Sequence, residues 1–160
     1  MTALSEYLQS RVQKAFFHGQ TLELPSNISI ALTTDLAEDS QDGSSIPEVP
    51  ESISRSGVID GVSGVYDYET GYSRLNICIP QINGTDHWAY TEGGNISNVK
   101  QLVFDTCREA WGTFSGIAVL DSDVHGSGNL LFHGELEEPR RVLKGDAPKF
   151  DATVLEICLS

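Results

Sequence analysis

Apolar residues recur every three or four positions at the start of the chain, at Leu4, Leu8, Val12, Ala15 and Phe16, with Glu6, Gln9, Arg11, Gln13 and Lys14 between them. That spacing puts one greasy stripe on a helix. Thr2 can cap its start, and Gly19 after His18 supplies the left-handed residue that closes such an element. An amphipathic helix over about 3–18 is therefore predicted, and its stripe must pack on something. From Asn27 the period drops to two: Ile28, Ile30 and Leu32 alternate with Ser29, Ala31 and Thr33, the pattern of a strand buried on one face. Between Asp35 and Gly71 the pattern dissolves into Asp, Glu, Ser, Gly and Pro, with Pro47 and Pro50 around Glu48-Val49. A structureless stretch of that length is uncommon inside a compact domain, so the spacing predicts an acidic loop or arm over about 35–71, ordered by a neighbouring molecule. Its isolated apolar residues Ile46, Val49, Ile53 and Val58 are candidate partner contacts.

Alternation returns at Tyr72–Ile79, with Leu75, Ile77 and Ile79 on one face and Pro80 closing the run. A second polar insertion, 81–97, holds Gly84, Gly93 and Gly94 together with His87, Trp88 and Tyr90, and aromatics beside turn residues suit contact with a protein or a sugar. The last third carries strand signals over 99–104, 112–120, 129–136, 140–143 and 148–159, bounded by turns such as Gly126-Ser127-Gly128 and Lys144-Gly145-Asp146. Without alternating strand and helix units a parallel sheet is disfavoured. The fold expected for residues 1–160 is one mainly β domain: an antiparallel β-sandwich, jelly-roll-like, with one N-terminal amphipathic helix.

Composition narrows the partners. Ten Lys plus Arg against 23 Asp plus Glu give a net charge of -13, which repels phosphate backbones and anionic headgroups alike. No nucleic acid or membrane partner is expected. An acid, Glu6, stands where a secretory signal needs Lys or Arg, so the sequence predicts folding in the cytoplasm and deprives its three Asn-x-Ser/Thr matches of meaning. Cys78, Cys107 and Cys158, odd in number and widely spaced, read as reduced.

Candidate chemistry is sparse. Asp121-Ser122-Asp123-Val124-His125-Gly126 begins like a calcium loop, but the twelfth position, where a bidentate acid is required, is Phe132. No serine elbow, phosphate loop or dinucleotide fingerprint is present. Asp67 with Glu69, or Glu135 with Glu137 and Glu138, could be drawn as glycosidase pairs, yet among 23 carboxylates such proximity means little. His18 reads as a helix-end residue, and Trp111 and Phe114 read as core. No catalytic, cofactor or metal site is expected, and no cofactor.

From Asn98 onward, ordered pieces of sequence resemble a family of small bacteriophage virion proteins, often labelled tail-fibre-like. They are an apolar strand ending in Phe104, Trp111-Gly112-Thr113 leading into Gly116–Asp121, Gly128–Leu136, Pro139 with Val142, Gly145-Asp146, and Phe150-Asp151-Ala152 before Leu155, Ile157 and Leu159. Ser5–Leu8, Ile28–Thr34 and Gly71–Arg74 are similar to the family as well. The resemblance implies a non-enzymatic virion structural protein, made in the host bacterial cytoplasm. A chain of 160 residues without heptads or stalk repeats is short for a fibre, so the expectation is a capsid decoration (cement) protein on the major capsid protein. The alternative is a tail or tail-fibre component contacting tail proteins or a host-surface glycan. Open sheet edges suggest self-association, as a homotrimer at local threefold positions.

Overall fold

A computed structural model describes residues 2–78, 80–91 and 93–158. Its centre is a five-stranded antiparallel sheet in the order β1-β10-β9-β2-β5. The strands are β1 (Thr2–Leu4), β2 (Ile28–Thr33), β5 (Leu75–Cys78), β9 (Gly112–Leu120) and β10 (Leu130–Val142). The expected mainly β, antiparallel fold with a helix near the N-terminus is what the chain adopts. Ile79 and Leu159, counted above as strand residues, lie outside the described residues.

One face of the sheet carries Ile30, Leu32, Ile77, Ile117 and Val119, and two short ribbons cover it. The first pairs β8 (Leu102–Val103) with β11 (Lys149–Phe150). The second joins β6 (Trp88–Tyr90), β7 (Ile96–Asn98) and β12 (Glu156–Ile157). Leu102, Phe104, Trp111, Phe114, Phe150, Leu155 and Ile157 fill the space between, so Trp111 and Phe114 are core as read from the sequence. The two strand signals of 129–143 fuse into one long β10. Its ladder with β9 skips from Glu135↔Gly116 to Arg140↔Phe114, a bulge that admits Pro139 without a broken pair.

The other face of β2 is buried too, contrary to the one-faced strand expected, because the segment after β2 folds back over it. There Ala31, Ala118, Leu120 and Leu130 meet Ala37 and Ile46. Small side chains make the approach possible: Ala31 and Ala118 are direct cross-strand partners, and a Cβ on Gly116 would meet Thr33 Oγ1 at 2.6 Å.

Two local expectations need correcting. The helix α1 runs Glu6–His18, and its cap is Ser5, not Thr2, because residues 2–4 are drawn into the sheet as β1. Ser5 Oγ accepts from Leu8 N at 3.2 Å and donates to the Leu130 carbonyl. Gly19 closes the helix at φ 65, as expected. Tyr7 and Leu8 rest on the core, but no helix residue is fully buried, and Phe16 and Phe17 stand 81% and 83% exposed. The second correction is to the insertion 81–97, which is ordered as a helix α2 (Pro80–His87) followed by the β6–β7 hairpin.

Candidate functional site

The stretch 35–71 is not an extended arm, and its two halves differ. Residues 52–69 form an antiparallel ribbon of β3 (Ser52–Ile59) and β4 (Val62–Glu69), eight pairs without a register shift. Asp60 and Gly61 turn it at φ 50 and 78, the positive pair that a two-residue hairpin turn requires. Residues 35–51 instead hug the sheet, held by Arg74.

Arg74 lies just before β5, and its side chain is fully buried. Nε donates to Glu48 Oε1 at 2.8 Å and Nη2 to Glu48 Oε2 at 2.8 Å, a bidentate pair with a carboxylate that is itself buried. Nη1 donates to the carbonyls of Ser122 and Ser127 at 3.0 and 2.7 Å, and Nη2 also reaches the Gly43 carbonyl at 3.2 Å. All five N–H donors of a guanidinium are thereby used. Glu48 Oε1 accepts a further hydrogen bond from Tyr72 Oη at 2.8 Å, and Tyr72 Oη accepts from Leu32 N at 3.0 Å, where β5 no longer pairs with β2. His125 Nε2 stands 3.0 Å from the Val49 carbonyl and 3.7 Å from Glu48 Oε2. Burial, and then the Glu48 carboxylate, push the Tyr72 phenol well above its usual range.

Four titratable side chains thus converge, the arrangement that most resembles an active site. The hydrogen-bonding capacity of Arg74 is spent on Glu48 and on carbonyls of two loops. Three surface grooves, of about 430, 210 and 220 Å³, all lie elsewhere, and none is lined by Glu48, Tyr72, Arg74 or His125. The cluster is a fastening. Gly43, whose N–H donates to the Gly128 carbonyl at 2.9 Å, sits so close that a Cβ would fall 1.9 Å from Ser127 O. The calcium-like segment belongs to the same fastening: Asp121 accepts from the backbone and side-chain amides of Asn129 at 2.6 and 2.8 Å, which closes the loop that carries His125. Among the described residues no three His, Cys, Asp or Glu groups converge as metal ligands would.

The candidate partner residues fall in separate places. Ile46 and Val49 are buried, so they serve the protein's own core and cannot meet a partner. Ile53 is half-buried near the base of the ribbon, opposite Tyr68, while Val58 is 65% exposed near its tip. His87 ends α2, its carbonyl accepting from Val99 N at 2.8 Å. Trp88 and Tyr90 line the apolar 220 Å³ groove with Ile28, Ile96, Val119, Phe132 and Ile157, where the sheet and the β6–β7–β12 ribbon part. Trp88 Nε1 is itself shielded from water, beside the Cys78 thiol. Glu135, Glu137 and Glu138 line the 430 Å³ groove beside the β10 bulge, and all three are exposed. Asp67 and Glu69 are exposed on β4, bonded to Ser54 and to Arg108.

Sequence reasoning missed the exposed aliphatic tip of the ribbon, Ile59, Val62 and Val65 beside Val58. The signal was Asp60-Gly61 flanked by alternating Ser and Val, a hairpin turn hidden in a polar composition. None of the three cysteines forms a disulfide, and burial raises the thiols of Cys78 and Cys107, which makes them poor nucleophiles.

The resemblance to small phage virion proteins, read from about two thirds of the chain, extends to nearly all of it. No curated protein matches the chain. One family model does, over residues 3–158, and it places the chain in the family described as podophage GP4 fiber I protein gp80, a structural component of the phage virion.

Proposed function

We propose that the protein is a non-catalytic module of a virion fibre, working through docking surfaces on a rigid β body. The match of residues 3–158 to a fibre-protein family carries this reading. It supports the fibre alternative over the capsid decoration protein expected from the sequence. The shortness that argued for the head is equally suited to a fibre assembled from many compact units. The most site-like cluster, Arg74 with Glu48, Tyr72 and His125, is closed and self-satisfied, which supports a structural role over a catalytic one. A surface of net charge -13 supports protein partners over nucleic acid or anionic lipid. The groove at Trp88 and Tyr90, lined also by Ile28, Ile96, Val119, Phe132 and Ile157, suits an apolar side chain of a partner protein better than a sugar, whose hydroxyls would find few polar partners among these residues.

Cryo-EM of intact particles tests the reading. Density for this fold in appendages at the tail vertex is the expected result. Copies spread over the head facets would replace it with capsid decoration on the major capsid protein.

A further inference from the structure

We infer that the β3–β4 ribbon is the surface on which a second copy of this chain docks, strand edge to strand edge. The ribbon is a sheet of two strands only, held at its base and free beyond it. At the base Thr70 N donates to the Glu51 carbonyl at 2.8 Å, Trp111 Nε1 donates to the Thr70 carbonyl at 2.8 Å, and Arg55 pairs with Glu109 at 3.2 Å. Beyond Arg55, every residue from Ser56 to Val65 except Gly57 is exposed, and the aliphatic side chains of Val58, Ile59, Val62 and Val65 are between 44% and 71% exposed. A lone two-stranded hairpin is marginal in water, so a ribbon this regular calls for something to complete it.

Three observations select a second copy as that partner. The first is edge chemistry. Proteins guard an open strand edge with charged side chains, Pro, a bulge or shortness. The three charges of β3 and β4, Arg55, Asp67 and Glu69, are engaged by Glu109, Ser54 and Arg108 of the same chain, and from Ser56 to Val65 the ribbon carries no guard but Asp60 in its turn. The second is length. Edges β1 and β5 offer three and four residues, and β10 beyond its pairing with β1 is guarded by Glu135, Glu137, Glu138 and Pro139. Among the described residues, the matching edge for an eight-residue strand is the same ribbon on another copy, about 27 Å long. The third is charge. Two copies at net charge -13 repel over most of their surfaces, but Ser56–Val65 holds a single ionisable group, Asp60, so this is where two acidic bodies can meet. Antiparallel pairing of like edges is self-complementary about a twofold axis. It would join two ribbons into a four-stranded sheet, with one eight-residue strand of each copy at the new seam.

The inference concerns the purified protein and stands apart from where the particle carries it. Sedimentation equilibrium of the full chain should give a mass of two or more copies at about 100 µM. Val58→Lys with Val65→Lys should weaken association by about a hundredfold or more, by burying ammonium groups at the new edge, with an unchanged circular dichroism spectrum. The pair leaves the chain less negative, so general repulsion cannot produce the loss. A monomeric native protein, or a double variant that associates as before, overturns the inference and leaves the fibre reading intact. Should the variant lose its fold, hydrogen exchange on the native protein decides. Amides of 52–69 that slow as concentration rises support docking, and rates indifferent to concentration overturn it.

Discussion

Residues 35–51 and 52–69 are both polar stretches of Ser and acids with scattered apolar residues, and they have opposite fates. The first is wrapped onto the sheet, with Ala37, Ile46 and Val49 buried, and the second stands off it with its aliphatic side chains in water. The difference lies in what each can bond to. Residues 35–51 carry Glu48 and a glycine carbonyl within reach of Arg74, so a buried cation gathers the backbone and replaces its water. The ribbon satisfies its backbone by pairing with itself, and its side chains reach the body through the pairs of Arg55 with Glu109 and Glu69 with Arg108. Order in a polar segment can thus come from a buried charge or from a strand partner, and these respond to mutation differently.

The sharpest way to break that contrast is to compare the two arginines. Arg74→Met leaves Glu48 buried without its counter-charge and frees three loop carbonyls, so a loss of about 3–5 kcal/mol is expected in urea denaturation. Arg55→Met removes a guanidinium 4.2 Å from the Tyr68 ring and a half-exposed pair with Glu109. That should cost about 1 kcal/mol or less, since water screens the pair. Equal costs would mean that the fastening does not hold 35–51.

A smaller effect probes the same fastening through pH. Tyr72→Phe strips Leu32 N–H and Glu48 Oε1 of a partner and should cost about 2–3 kcal/mol at neutral pH. The native protein should also weaken in alkali. An unfolded tyrosine loses its proton near pH 10. Burial and the Glu48 carboxylate hold the folded phenol protonated well beyond that, so the unfolded chain ionises first. Stability from this group is therefore whole below about pH 10 and falls as pH rises through it. Denaturation midpoints between pH 8 and 11 should show a decline that the Phe variant reduces.

What the sequence made legible was periodic. The α1 stripe, the alternation of β2 and of 72–79 and the strand signals of the last third place the helix and four of the central sheet's five strands within a few residues, and the closing Gly19 and the core residues Trp111 and Phe114 fall where they were read. What failed depended on contacts distant in sequence. Ser5 became the cap because β10 recruits residues 2–4. Glu48 could not be known to be buried without Arg74, 26 residues on, and the loop of Ser122 and Ser127 beyond it. Ile46 looked like a partner contact for the same reason: the face that buries it is assembled from Ala31, Ala118 and Leu120, two of which lie over seventy residues away, and Val49 belongs to the main core with Leu32, Tyr72 and Trp111. The ribbon was legible in principle, since its turn is local, but its Ser-rich strands lack the apolar alternation of a strand with one face on a core.

The finest discrimination between the halves uses one substitution twice. Val→Thr keeps shape and strand preference while exchanging a methyl for a hydroxyl, so its cost reports whether the site is dry. At Val49, fully buried against the core beneath Leu32 O, the hydroxyl enters an apolar site, and a loss of about 1–2 kcal/mol is expected. At Val58, 65% exposed, the change should fall within about 0.5 kcal/mol for the isolated protein at low concentration. Urea midpoints of the two variants measured side by side give the answer. If Val58→Thr also destabilises, and does so only as protein concentration rises, the ribbon tip is dry in the associated form; if it does so at every concentration, the ribbon packs on its own body and the contrast with 35–51 dissolves.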